Sequence, residues 1–242
     1  MNPDTVAAPE GRPARAIAAS GAAPEGLTGA VSVIAKTPEA GRVKTRLCPP
    51  LDPAEAAQVA WACLLDTLDV ARLVPASRHV IVLDGEPGGW CNGFEVIPQR
   101  GDGLAERLAA AFDDMDASAL VVAMDTPQLA ANALVAGLRA LQQGADAVFG
   151  PASDGGYWLI GLRAGVDAAP VFAGIPMSTG DTGRRQLARL RELGLAVHVL
   201  DELRDLDGVD DLEPIARLAP GGRLARLIQD LGLGRSRAVG LA

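Results

Sequence analysis

The stretch A-L-V-V-A-M-D at residues 119–125 is an apolar run closed by a carboxylate. A near-continuous run of this length reads as a central parallel strand covered on both faces. Similar short runs lie on either side of it. Upstream stand V-S-V-I-A-K from Val31, H-V-I-V-L-D from His79 and the alternating F-E-V-I-P from Phe94. Downstream stand A-V-F-G-P from Ala147, Y-W-L-I-G-L from Tyr157 and L-A-V-H-V-L from Leu195. Between them the apolar spacing turns helical over residues 53–73, 103–115, 132–143 and about 180–193. This mostly alternating order predicts an α/β fold of three layers, α/β/α, around a mainly parallel Rossmann-like sheet.

The length of 242 residues suits one substantial domain. It is expected over 30–231, after a disordered leader at 1–29 rich in Ala, Pro and Gly and before a frayed Gly/Arg tail at 232–242. A hydrophobic fraction of 49% with only 3% aromatic residues implies a core of Ala, Val, Leu and Ile. No apolar run approaches the ~20 residues of a membrane span, and the leader lacks the continuous apolar segment of a secretory signal. A soluble cytoplasmic protein with no membrane partner is expected. Cys48, Cys63 and Cys91 form no C-x-x-C pair, and His79 and His198 are the only histidines. Any metal would therefore sit among carboxylates, which points to Mg²⁺ or Mn²⁺. The net charge of −8 and the lack of a basic stripe argue against nucleic acid and for a small anionic ligand.

One loop departs from that acidic balance. A-K-T-P-E-A-G-R-V-K-T-R-L at 35–47 follows the first strand and concentrates Lys36, Arg42, Lys44 and Arg46. Ligands of doubly wound sheets bind outside the carboxyl ends of the strands, where this loop lies. Gly41 lets the backbone fold close to a phosphate, and arginine holds a phosphate through two parallel hydrogen bonds. Lys44 counts among both the phosphate-binding and the catalytic candidates. The plainer reading is a solvated loop, and neither a P-loop nor a dinucleotide fingerprint is present.

Three acidic motifs complete the candidates. Asp125, leaving the buried run before Thr126 and Pro127, is placed to hold a metal that bridges phosphates, or to cap the next helix. If it holds the metal, Asp125→Ala should abolish metal-dependent turnover with little loss of folding. Asp154-Gly155-Gly156-Tyr157 is either a close approach to a ligand or a tight Asp-Gly hairpin turn. Asp207, in D-L-D-G-V-D-D-L at 205–212, is either a second metal carboxylate beside Asp125 or part of an acidic helix start.

Taken in order, the basic loop, P-Q-R-G-D-G-L-A-E-R-L, M-D-T-P-Q-L, G-P-A-S-D-G-G-Y-W-L-I-G-L and D-L-D-G-V-D-D-L resemble the bacterial DUF2064 proteins. These GT-A-fold enzymes are often labelled arsenosugar-biosynthesis or radical-SAM/selenodomain-associated glycosyltransferases. The chain is more distantly similar to phospholactate guanylyltransferases, which carry a like Lys-x-Arg-Leu after the first strand. The resemblance spans residues 31–212 and implies a nucleotide-diphospho-sugar transferase fold in which Asp125 matches the metal-holding carboxylate. Thr126 stands where the family usually has Cys, in the expected acceptor pocket with Gly155, Gly156 and Tyr157. Asp102 and Arg107 match a nucleotide-binding segment, although Ala105 replaces its second Gly.

The resemblance puts glycosyl transfer first, from a nucleotide-sugar to a small acceptor, with Asp154 as the base. The alternative is nucleotidyl transfer from CTP or GTP to a small phosphorylated or anionic acceptor with release of pyrophosphate, a reaction that strictly needs no protein base. Four cations suit a triphosphate better than a diphosphate. A nucleotide-binding regulator without catalysis would have no use for Asp125, Asp154 and Asp207. The oligomeric state is not legible.

Overall fold

A computed structural model describes residues 26–233. The expected leader and tail therefore fall almost wholly outside the described residues. In chain order the elements are β1 (Leu27–Lys36), α1 (Pro53–Arg72), β2 (Ala76–Asp84), β3 (Glu95–Pro98), α2 (Leu104–Met115), β4 (Ala119–Ala123) and α3 (Ala131–Gln142). They continue with β5 (Ala147–Pro151), β6 (Tyr157–Leu162), α4 (Ala168–Phe172), α5 (Thr182–Glu192), β7 (Val197–Val199), α6 (Val209–Leu218) and α7 (Arg223–Asp230). The first strand thus begins at Leu27, inside the stretch expected to be leader.

The seven strands form one sheet in the order β3-β2-β1-β4-β6-β5-β7. Only β6 runs antiparallel to its neighbours β4 and β5, because a hairpin too short for a helical crossover joins it to β5. The run that predicted a central strand is central, paired with β1 on one side and β6 on the other. Its side chains divide between the faces. Leu120 and Val122 pack with α1 and α3, and Ala119 and Val121 pack with α2, α4 and α5. Both faces are dry, which is why the run shows no alternation.

α1 starts where the chain supplies a reciprocal cap. Asp52 accepts from the Glu55 N–H at 2.8 Å, the Glu55 carboxylate accepts from the Asp52 N–H at 2.9 Å, and Pro53 occupies the first helical position. α1 is also the floor for α6 and α7, through Val59, Ala62, Leu212, Ile215, Leu224 and Ile228. Asp66, 7% exposed on α1, caps α7 from outside by accepting from the Arg223 and Leu224 N–H groups at 2.9 and 3.1 Å and from the Arg223 guanidinium at 3.1 Å. Asp66→Ala leaves those donors without a buried acceptor. It is expected to lower the unfolding free energy by about 2 to 3 kcal/mol in urea denaturation, with the loss appearing first in α7 protection from hydrogen exchange.

Candidate active site

β1 ends at Lys36, whose N–H donates to Met124 Sδ at 3.4 Å and so ties the exits of β1 and β4 together. The basic loop then turns at Lys44, which adopts left-handed backbone at φ 48° before a short 3-10 turn at Thr45–Leu47. That turn buries Leu47 completely and splits the cations. The Lys44 side chain points inward and is 10% exposed, whereas Arg46 points outward and is 69% exposed.

Lys44 Nζ lies 2.9 Å from Asp125 Oδ2 and also donates to the Leu206 carbonyl. Burial works most strongly against the ammonium, but Asp125, Cys63 and Asp205 together outweigh it, and Lys44 is held above its ordinary range. The other Asp125 oxygen, Oδ1, is buried and has no hydrogen-bond partner. A cavity of about 270 Å³ opens beside the pair, lined by Lys44, Arg46, Met124, Asp125 and Asp207 among others.

The segment between β7 and α6 crosses the site as a strap. Trp158 Nε1 holds the Asp201 carbonyl at 3.1 Å, Leu203 bonds both ways with Pro151 and Ser153, and Gln128 donates to the Arg204 carbonyl. Leu206 is fully buried. These anchors bring Asp205 near enough to Asp125 for the two carboxylates to repel each other. Its carboxyl is pushed up to about 7, first by burial, then by Asp125 and, more weakly, by Asp154, with Lys44 pulling the other way.

A raised carboxyl has a definite consequence for metal-free stability. The folded protein keeps a proton on Asp205 that the unfolded chain loses near pH 4, so between about pH 4 and 7 the native state binds more protons. Stability from this group is greatest below pH 4 and falls as pH rises through 7. Relative to Asp205→Asn, the wild type is expected to lose stability by up to about 1.4 kcal/mol per pH unit across that window. Chemical denaturation in chelator at several pH values checks it, and parallel profiles for the two proteins would refute it.

Two motifs differ from their sequence reading. Asp207 is not a bare carboxylate beside Asp125. Both of its oxygens accept from Arg46, at 2.7 and 2.6 Å on the rim of the cavity that it lines with Asp125, while Asp205 feels the Asp125 charge from the strap. Two carboxylates two residues apart, as in D-L-D, cannot be ranked before the strap is in place. Thr126 does not face an acceptor pocket. It is fully buried, and its hydroxyl donates to the Ala123 carbonyl.

The remaining candidates spread along the same edge of the sheet. Lys36 pairs with Asp84 at 3.5 Å, and Arg107 pairs with it at 3.0 Å while also holding Gln99 and the Gly101 carbonyl. These cations hold Asp84 below the usual carboxylate range although burial opposes them. Arg42 is tied to Glu39 within the loop at 2.7 Å, and Gly41 and Asp102 are exposed. Of the four loop cations, Lys44 and Arg46 line the cavity.

Asp154 accepts from the Gly156 N–H at 2.8 Å, closing its own turn, and Gly155 takes φ 88°. The two glycines approach protein here. A Cβ on Gly155 would stand 2.0 Å from the Gly180 carbonyl oxygen, and one on Gly183 would stand 2.2 Å from that of Gly156. The turn thus packs against the start of α5. Tyr157 follows the turn half-buried, its hydroxyl 3.8 Å from Met177 Sδ and its ring 5.5 Å from Phe149, and burial pushes the phenol up.

Among the described residues, no three metal-ligating side chains converge. The donor set nevertheless fits a divalent cation of the Mg²⁺ type, which takes one or two carboxylates and completes its shell with water and substrate phosphates. Asp125, with its unpartnered Oδ1, and Asp205 would be the two carboxylates to hold it.

Comparison with known proteins follows the same lines. The family described as "Uncharacterized protein conserved in bacteria (DUF2064)" matches residues 67–179. A 3-phospho-D-glycerate guanylyltransferase of Phenylobacterium zucineum (strain HLK1) is 30% identical over 211 residues, which cover 78% of this chain and 90% of that protein. The chain belongs to the DUF2064 family, within the nucleotide-diphospho-sugar transferase superfamily. A phosphoenolpyruvate guanylyltransferase of Roseiflexus sp. (strain RS-1) is 28% identical over 216 residues, 86% of this chain and 94% of that one. A crystal structure described as a nucleotide-diphospho-sugar transferase of Desulfovibrio desulfuricans G20 superposes with a TM-score of 0.77 at 26% identity, covering 88% of this chain and 99% of that chain. Within DUF2064 this chain is accordingly a transferase, and the three-layer fold is that of the superfamily.

Proposed function

We propose that this DUF2064 protein is a nucleotidyltransferase that moves the nucleotidyl group of a nucleoside triphosphate, GTP first, onto the phosphate of a small phosphorylated carboxylic acid. The observation that carries this reading is the similarity, over nearly their whole lengths, to two guanylyltransferases whose named acceptors are both of that class. The site supports it. Lys44 and Arg46 line the cavity at a sheet edge where a triphosphate needs cations, and Asp125 with Asp205 would hold the divalent metal. Such a metal, when bound, neutralises phosphate charge and orients the α-phosphorus for in-line displacement.

An oxygen of the acceptor phosphate attacks the α-phosphorus, the bond from that phosphorus to the bridging oxygen breaks, and pyrophosphate leaves. The nucleophile is already ionised at neutral pH, so no protein base is required. That suits Asp154, whose carboxylate is engaged by its own turn. Lys44 would bind the leaving phosphates, and Arg46, exposed and paired only at the rim, would exchange Asp207 for a phosphate oxygen.

Glycosyl transfer, the first expectation from sequence, is the second reading, favoured by the similarity to the D. desulfuricans structure. A pyrophosphate-release assay with GTP or CTP, Mg²⁺ and either phosphoenolpyruvate or 3-phosphoglycerate separates the two. Acceptor-dependent pyrophosphate is expected with GTP. Release with neither triphosphate, together with stabilisation of the protein by a nucleotide-sugar, would favour glycosyl transfer.

A further inference from the structure

We infer that Lys44 is the resident counter-ion of the metal site, and that its ammonium makes metal binding depend on the nucleotide. The inference rests on the reading above, in which Asp125 and Asp205 hold the cation. In the free protein the ammonium occupies the place a divalent cation would claim. It sits 2.9 Å from Asp125 Oδ2 and donates to the Leu206 carbonyl, two hard oxygen donors of the kind that Mg²⁺ and Mn²⁺ also take. The left-handed backbone of Lys44 and the buried Leu47 and Leu206 on either side keep it there, with 10% of the side chain exposed.

The contrast with Arg46 shows that this is not the ordinary behaviour of the loop. Arg46 meets Asp207 across an exposed rim, where an ion pair is worth little and is easily exchanged. The Lys44 pair is mostly enclosed, so its field on the site is only weakly screened.

The charges then dictate an order of binding. A divalent cation arriving alone meets a carboxylate already neutralised by a fixed positive charge a few ångströms away, and it has to repel or displace that charge. A triphosphate reverses the sign of the effect, because the ammonium can turn from Asp125 to the phosphates as the metal takes its place. Metal and nucleotide therefore favour each other's binding, and by linkage the coupling is the same in both directions.

The test is calorimetric titration of Mn²⁺ alone, and separately of Mn²⁺ with GTP, into the wild type, Lys44→Met and Lys44→Arg. Lys44→Met is expected to bind Mn²⁺ alone roughly tenfold tighter than the wild type or more, and Mn²⁺ with GTP more weakly. Lys44→Arg, which keeps the charge, is expected to resemble the wild type toward Mn²⁺ alone. Binding of Mn²⁺ alone by a folded Lys44→Met no tighter than by the wild type overturns the inference. If Lys44→Met is unfolded without metal, recovery of its circular dichroism on adding Mn²⁺, but not NaCl at equal ionic strength, supports the inference, and no recovery overturns it. Asp125→Asn separates this from the parent reading. If that variant binds Mn²⁺ with GTP as the wild type does, the metal assignment falls; if it loses that binding while Lys44→Met gains nothing for Mn²⁺ alone, only the counter-ion role falls.

Discussion

Asp125→Asn is expected to reduce metal-dependent turnover by about a thousandfold, the scale on which removal of one preorganised charge partner acts in an enclosed site. The sequence by itself suggests that replacing this residue would leave folding almost untouched. The structure predicts otherwise. Asp125 is the ion partner of Lys44, which is 10% exposed, and Asp125→Ala would strand a mostly buried ammonium with a single carbonyl acceptor. Breaking such a pair from one side costs about 3 kcal/mol, more than the pair contributes when intact. Asp125→Ala should therefore lose activity and stability together, and Asp125→Ala with Lys44→Met should recover much of the stability but none of the activity. Denaturation midpoints and single-turnover rates for the set would decide it. A stable, inactive Asp125→Ala would show that Lys44 finds another partner.

Gly155→Ala carries the second large effect. The residue takes φ 88°, which costs an alanine backbone energy, and its new methyl group would stand 2.0 Å from the Gly180 carbonyl oxygen. That oxygen belongs to main chain and cannot turn aside like a long side chain. A loss of at least about 2 kcal/mol in unfolding free energy is expected. The damage should also reach the site, since the same turn carries Asp154, which bears electrostatically on Asp205. Gly156→Ala is the control. Its φ is not positive, and its nearest neighbour is the Asp154 carboxylate at 3.1 Å, so it should be much milder. Equal losses from both variants would refute the backbone clash.

Much of the fold was legible because periodicity reports burial directly. The unbroken apolar run read as a strand dry on both faces, which holds over residues 119–122, and Pro53 behind Asp52 marked the start of α1. What stayed hidden was set by tertiary contact. α7 has its first N–H groups capped by Asp66, 157 residues away in the chain, and no local signal carries that. The site divides in the same manner. Lys44 and Asp125 stood out as charges beyond the carboxyl ends of β1 and β4, where the topology of the fold brings them together. Asp205 did not, because its environment is made by Trp158, Gln128 and Lys44 holding the strap from three sides. Thr126 was misplaced for the opposite reason: a polar residue beside a functional carboxylate invites a functional role, and its burial is invisible in the sequence.

The strap has a consequence in time as well as in space. Lys44 meets Leu206 across 162 residues, and the strap that carries Asp205 follows β7 and leads into α6, which packs on α1. A ribosome that has released everything up to β7 has made the described sheet but not the strap. Contacts this distant in sequence close late and slowly. Until the strap has closed over β1 and β4, the sheet stands without the contact that holds Lys44 in place.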